Sequence, residues 1–117
     1  MQAVLSDVDV ERYARDGYLT APSVLSLDEL AELREESDRV LALCAREPER
    51  YAWRIQWETD HLATEDQRGM EQVIRKLEPV SDLSPAFARY ARHKGIIDPL
   101  RQIFNDDVSL FEDQLNL

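Results

Sequence analysis

The sequence predicts an α+β fold. Segments open with helix-capping residues and continue with apolar side chains at helical spacing, while others alternate apolar and polar residues as strands do. At 117 residues there is room for one small domain, read as a single segment spanning residues 1–117. Apolar residues make up 44% and charged residues 32%, enough apolar surface to offset the entropy of ordering a chain of this size.

The first element is a helix over Asp7–Asp16. Ser6 is placed to cap it, Asp7 and Asp9 favour its first turn, and Val10, Tyr13 and Ala14 share one face. Gly17 stands where a helix ends in a left-handed residue, and residues 18–21 read as a short strand stopped by Pro22. The best-specified element follows. Ser26 and Glu29 form a capping box, with Leu25 and Leu30 as a hydrophobic staple. The helix they open runs to about Arg46, with Leu30, Leu33, Val40, Leu41 and Cys44 on one face, Ser37 interrupting the stripe and Pro48 ending it.

Tyr51, Trp53, Ile55 and Trp57 alternate with Ala52, Arg54 and Gln56, a strand pattern that puts both tryptophans on one face, for which core packing is the first reading. Residues 58–69 are polar and read as a loop; residues 73–80 fit a strand or a short helix. Ser84-Pro85 starts a helix with Phe87, Tyr90 and Ala91 inward and Gly95 closing it. Asp98-Pro99 repeats the start signal for a helix with Leu100, Ile103 and Phe104 on its apolar side. Asn105-Asp106-Asp107 is a turn, and residues 108–117 read as a final strand.

The formal net charge of −10 repels phosphate and anionic lipid, and Arg and Lys are scattered singly among acids, so neither nucleic acid nor a membrane is an expected partner. One cysteine, Cys44, forms no internal disulfide and suits a reducing cytoplasm as a buried structural thiol. The opening residues lack a signal-peptide pattern and no stretch approaches the roughly 20 apolar residues of a membrane span, so a soluble, cytoplasmic protein is expected.

Catalytic constellations are sparse. The two histidines are His61 and His93. Glu58 and His61 have the Glu-x-x-His spacing of di-iron bundles, but Tyr90 stands three residues before His93, so the second copy such sites need is absent. His93 is read as a cation near a helix C-terminus. With glycine only at positions 17, 69 and 95, no phosphate-binding loop or nucleophile elbow occurs. No residue is assigned a catalytic or metal-ligating role.

The run from Glu11 through Asp16-Gly17-Tyr18-Leu19, then Pro22, Leu25-Ser26-Leu27-Asp28-Glu29-Leu30 and Leu33-Arg34, resembles the opening of the phytanoyl-CoA dioxygenase family. The resemblance continues through Lys76-Leu77, Phe87, Leu100 to Phe104 and Asp113-Gln114-Leu115-Asn116-Leu117, and takes in nearly the whole chain. It implies N-terminal helices packed on the first strands of a double-stranded β-helix, or jelly-roll, in an oxygenase that uses Fe(II) and 2-oxoglutarate, usually to hydroxylate a small molecule. The family's His-x-Asp is missing: His61 is followed by Leu62-Ala63 and His93 by Lys94-Gly95. The chain therefore reads as a portion truncated before the metal site, inactive alone and binding neither cofactor.

By the same resemblance, Glu112, Gln114 and Asn116 in the last strand face the cofactor pocket, and Trp53, Arg54 and Trp57 border the substrate. The alternatives are a non-catalytic helical interaction module and a related iron halogenase. The unpaired edge of residues 108–117 is expected to invite self-association.

Overall fold

The computed structural model describes residues 5–62, 69 and 72–117. Among the described residues it is α+β: four α-helices and a small antiparallel sheet, with short 3-10 turns at Ala52–Arg54 and Glu58–His61. The helices are α1 (Asp7–Asp16), α2 (Leu27–Arg46), α3 (Pro85–Tyr90) and α4 (Lys94–Phe104); the strands are β1 (Ile55–Trp57), β2 (Ile74–Leu77) and β3 (Leu115–Asn116).

The helix starts follow local chemistry. Ser6 and Asp9 form a reciprocal capping box on α1, and Gly17 ends it at φ 81°. Ser26 and Glu29 do the same for α2, which ends at Arg46. Ser84 accepts the Phe87 N–H at the start of α3, with Pro85 in the first turn. Along α2, Val40 and Cys44 are fully buried. Ser37 is accommodated in the apolar stripe because its hydroxyl donates to the Leu33 carbonyl at 2.8 Å.

The sheet has the order β1-β2-β3, with Ile55 opposite Leu77 and Leu77 opposite Leu115. One core joins it to α2: Val40 and Cys44 meet Tyr51, Ile55, Ile74, Leu77 and Val80. Burial disfavours the thiolate, so the Cys44 thiol is pushed above its ordinary range. On the other side of the molecule α1 meets α4, tied by a reciprocal pair in which Leu5 N–H donates to Gln102 Oε1 at 3.0 Å and Gln102 Nε2 donates to the Leu5 carbonyl at 2.9 Å.

The structure departs from the sequence-based expectations at several elements. Residues 18–21 form no strand, because no neighbouring strand lies beside them among the described residues. The alternation from Tyr51 to Trp57 is a 3-10 turn followed by a three-residue strand, which takes Trp53 off the face of Trp57. The open choice at residues 73–80 resolves to the strand β2. Gly95 and Pro99 lie inside α4 rather than between two helices, since His93 caps that helix by accepting the Gly95 N–H on Nδ1 at 2.9 Å. The strand expected over residues 108–117 is confined to Leu115–Asn116. Ahead of it, Asp113 accepts the backbone N–H groups of Val80 and Ser81, both at 2.7 Å, and so binds the turn after β2 instead of entering the ladder.

Candidate functional site

Two polar clamps hold the turn at residues 78–83 and shape the ground next to the sheet. From one side comes Arg54, delivered by the 3-10 turn before β1. Its Nη1 donates to Asp82 Oδ1 at 2.5 Å and to the Pro79 carbonyl at 3.0 Å, and its Nη2 donates to Asp82 Oδ2 at 2.6 Å. The side chain is only 9% exposed, its Nε has no partner among the described residues, and its guanidinium carbon lies 4.2 Å from the centre of the exposed Trp53 ring. The bidentate Arg54 guanidinium holds the Asp82 carboxyl below the usual carboxylate range. From the other side comes Asp113, through its two amide bonds to Val80 and Ser81.

Between the clamped turn, α2, α3 and residues 110–115 lies an open groove of about 380 Å³, mainly apolar. Leu33, Phe87, Tyr90, Leu110 and Leu115 make its walls, with Gln114 and Asp113 on the rim. The volume suits a small ligand or an inserted side chain.

A polar seam runs beside the groove where α2 faces α3 and α4. Tyr90 donates its hydroxyl to Glu32 at 2.8 Å, and Arg89 pairs with the same carboxylate. These contacts, the tyrosine hydroxyl first, lower the Glu32 carboxyl. His93 Nε2 lies 2.6 Å from Glu29, and its ring stacks on Tyr90 with centroids 5.8 Å apart. Because Nδ1 accepts from Gly95, the ring proton belongs on Nε2, toward Glu29. The Glu29 carboxyl is lowered first by the Ser26 backbone N–H and then by His93.

This geometry sorts the residues expected to act. Trp53, Arg54 and Trp57 lie in different surroundings: Trp53 is exposed, Arg54 is buried against Asp82, and Trp57 is partly buried against the core. Glu112, Gln114 and Asn116 are all exposed; Gln114 lines the groove, and only Asn116 is in a strand. Asp82 carries no functional signal in the sequence, and Asp113 enters only as part of the family resemblance. Each is an acid in a polar stretch, and only folding brings it to partners 28 and 33 residues away.

The described residues do not fit an Fe(II) centre. Among the described residues no three His, Cys, Asp or Glu side chains stand close enough to share a metal ion. Both ring nitrogens of His93 are engaged by the protein, and the side chain of His61 lies outside the described residues. Arg54, a natural partner for a ligand carboxylate, already spends its fork on Asp82. No helix among the described residues is long and apolar enough to cross a membrane.

No family model matches the chain. It is 24% identical over 117 residues to the ectoine dioxygenase of Streptomyces avermitilis, a match covering 97% of this chain and 34% of that protein. It is 24% identical over 113 residues to the ectoine dioxygenase of Streptomyces anulatus, covering 93% of this chain and 32% of that protein. The chain therefore spans about a third of the length of these curated relatives, and is distantly related to dioxygenases along nearly all of its own length.

Proposed function

We propose that this chain is the N-terminal scaffold of an Fe(II)- and 2-oxoglutarate-dependent oxygenase of the phytanoyl-CoA dioxygenase kind, acting in its complete form on a small molecule in the cytoplasm. The observation that carries the reading is the end-to-end match to two dioxygenases, each about three times as long as the matched part. In this reading the iron ligands and the 2-oxoglutarate site belong to the other two thirds, and the chain contributes the docked helix α2, the clamped turn and the groove above it. The iron and 2-oxoglutarate, when bound there, would activate dioxygen, which is the oxidant. Gln114 and the walls of the groove are this chain's contribution to the surroundings of the ligand. The relatives act on ectoine by name; only the reaction class is carried over, and their name favours oxygenation over halogenation.

The test is a chimera in which this chain replaces the matched third of the Streptomyces avermitilis enzyme. The proposal predicts a soluble protein that converts 2-oxoglutarate to succinate when supplied with Fe(II) and dioxygen. A chimera that folds cooperatively yet forms no succinate, beside a parent enzyme that does, counts against it.

A further inference from the structure

A second cleft, of about 310 Å³, adjoins the groove described above and shares Ser81, Ala91 and Leu110 with it. It opens between the end of α3, α4 and residues 108–110, and its volume is at the small end of ligand pockets. Its lining divides by chemistry. Ile97, Val108 and Leu110 give it an apolar wall, and its polar side chains are Arg92, Ser81 and Ser109. Among the described residues the exposed Arg92 guanidinium forms no ion pair, and the two serine hydroxyls make no hydrogen bond.

The charge around the cleft is unusual for this chain. The sequence carries 24 Asp and Glu, yet among the described residues no acid lines the cleft. The acids beside it in the sequence are engaged by other partners. Asp82 follows Ser81 and is held by the Arg54 fork. Asp98 follows Ile97 and Asp107 precedes Val108, and both pair with Arg101, at 3.7 and 2.8 Å. Asp113 accepts the Ser81 backbone N–H at 2.7 Å and lines the neighbouring groove, not this cleft. Arg92 therefore presents a guanidinium, all donors and no acceptor, with two free hydroxyls and an apolar wall beside it.

We propose that this cleft binds a free small monocarboxylate with a short aliphatic chain, its carboxylate on Arg92 and the serine hydroxyls, its chain against Ile97, Val108 and Leu110. An arginine fork matches a carboxylate with two parallel hydrogen bonds, and the apolar wall favours a hydrocarbon body over a bare inorganic anion. A dicarboxylate such as 2-oxoglutarate would press its second charge onto that wall without a partner, which is costly, so the cofactor of the proposed reaction is excluded from this cleft. The site does not rest on the function proposed above.

Butyrate is the probe, titrated into the chain while backbone amide chemical shifts are followed. Saturable shifts are expected at Ser81, Ala88, Ile97 and Ser109, with none from butyramide, which has the same chain and no charge, and none from 2-oxoglutarate. Arg92→Met should weaken binding at least fivefold and Arg92→Lys less. Arg34→Met removes the same charge from an exposed position on α2 and should change nothing. Ser109→Ala, expected to weaken binding about threefold, takes over if Arg92→Met fails to fold. No saturable shift at these amides overturns the proposal, as does an equal loss in Arg34→Met. Phosphate or 2-oxoglutarate binding here as tightly as butyrate overturns it too, because the apolar wall would then select nothing. Saturation transfer to butyrate is measured on the chimera as well. Transfer that persists there supports a free ligand; transfer from the chain that is lost in a folded chimera makes an acidic side chain of the added part the occupant and overturns the proposal.

Discussion

Asp82→Asn removes the anion that faces a buried guanidinium. Arg54 is 9% exposed, holds Asp82 through two hydrogen bonds of 2.5 and 2.6 Å, and has a buried Nε without a partner among the described residues. Stranding one member of a fully buried pair costs about 3–5 kcal/mol, whereas exposed pairs contribute about 0–1 kcal/mol. The Asp82 side chain is 53% exposed, so water partly replaces it, and the Pro79 carbonyl stays in place. An intermediate loss of about 2 kcal/mol follows, which for a chain of this size lowers Tm by roughly 8 °C. Urea melts of Asp82→Asn, Arg54→Met and the double variant measure it. Arg54→Met removes the charge that needs a partner, so the double variant should be less destabilised than the sum of the singles by about 1.5 kcal/mol. Additive effects, or a loss below about 0.5 kcal/mol for Asp82→Asn, would refute the clamp as a buried ion pair. The pH dependence has a definite sign. Arg54 lowers the Asp82 pKa in the folded state, so its stabilisation is present above the unfolded carboxylate value and is lost as pH falls through the lower folded value. Asp82→Asn should lack that part of the acid sensitivity.

Further outcomes follow from packing and capping. Ser26→Ala should cost roughly 1 kcal/mol in denaturant melts, since the hydroxyl accepts the Glu29 N–H at 3.1 Å at the start of α2. Val40→Ala should cost about 2 kcal/mol because the side chain is fully buried, and Leu33→Ala only about 1 kcal/mol because it lines an open groove. Asp113→Ala strips the acceptor from two backbone N–H groups; a loss of about 1–3 kcal/mol with faster exchange at the Val80 and Ser81 amides is expected, and unchanged exchange there would contradict the clamp.

What the sequence discloses here follows how local each determinant is. Ser6 with Asp9, Ser26 with Glu29, and Ser84 with Pro85 act within one helical turn, so the starts of α1, α2 and α3 are legible residue by residue. Strand extent depends on a partner elsewhere. Residues 18–21 and 108–117 both alternate plausibly, but the first has no neighbour among the described residues and the second is diverted by Asp113. Gly95 and Pro99 mark helix ends by composition, yet His93 uses its ring nitrogen as a cap and carries α4 through both. The candidate site was least legible. Arg54 is a candidate by sequence, but its partner Asp82 lies 28 residues on, in the turn after β2, and of Glu112, Gln114 and Asn116 only Gln114 lines the groove.

The reading of this chain as scaffold, with the iron and 2-oxoglutarate sites in the other two thirds of the oxygenase, meets its most direct test in anaerobic calorimetric titration. Fe(II) with 2-oxoglutarate is titrated into the chain alone and into the chimera. The predicted result is no saturable heat from the chain and one-to-one binding by the chimera. Saturable one-to-one binding by the chain alone would contradict it and place a cofactor site within these 117 residues.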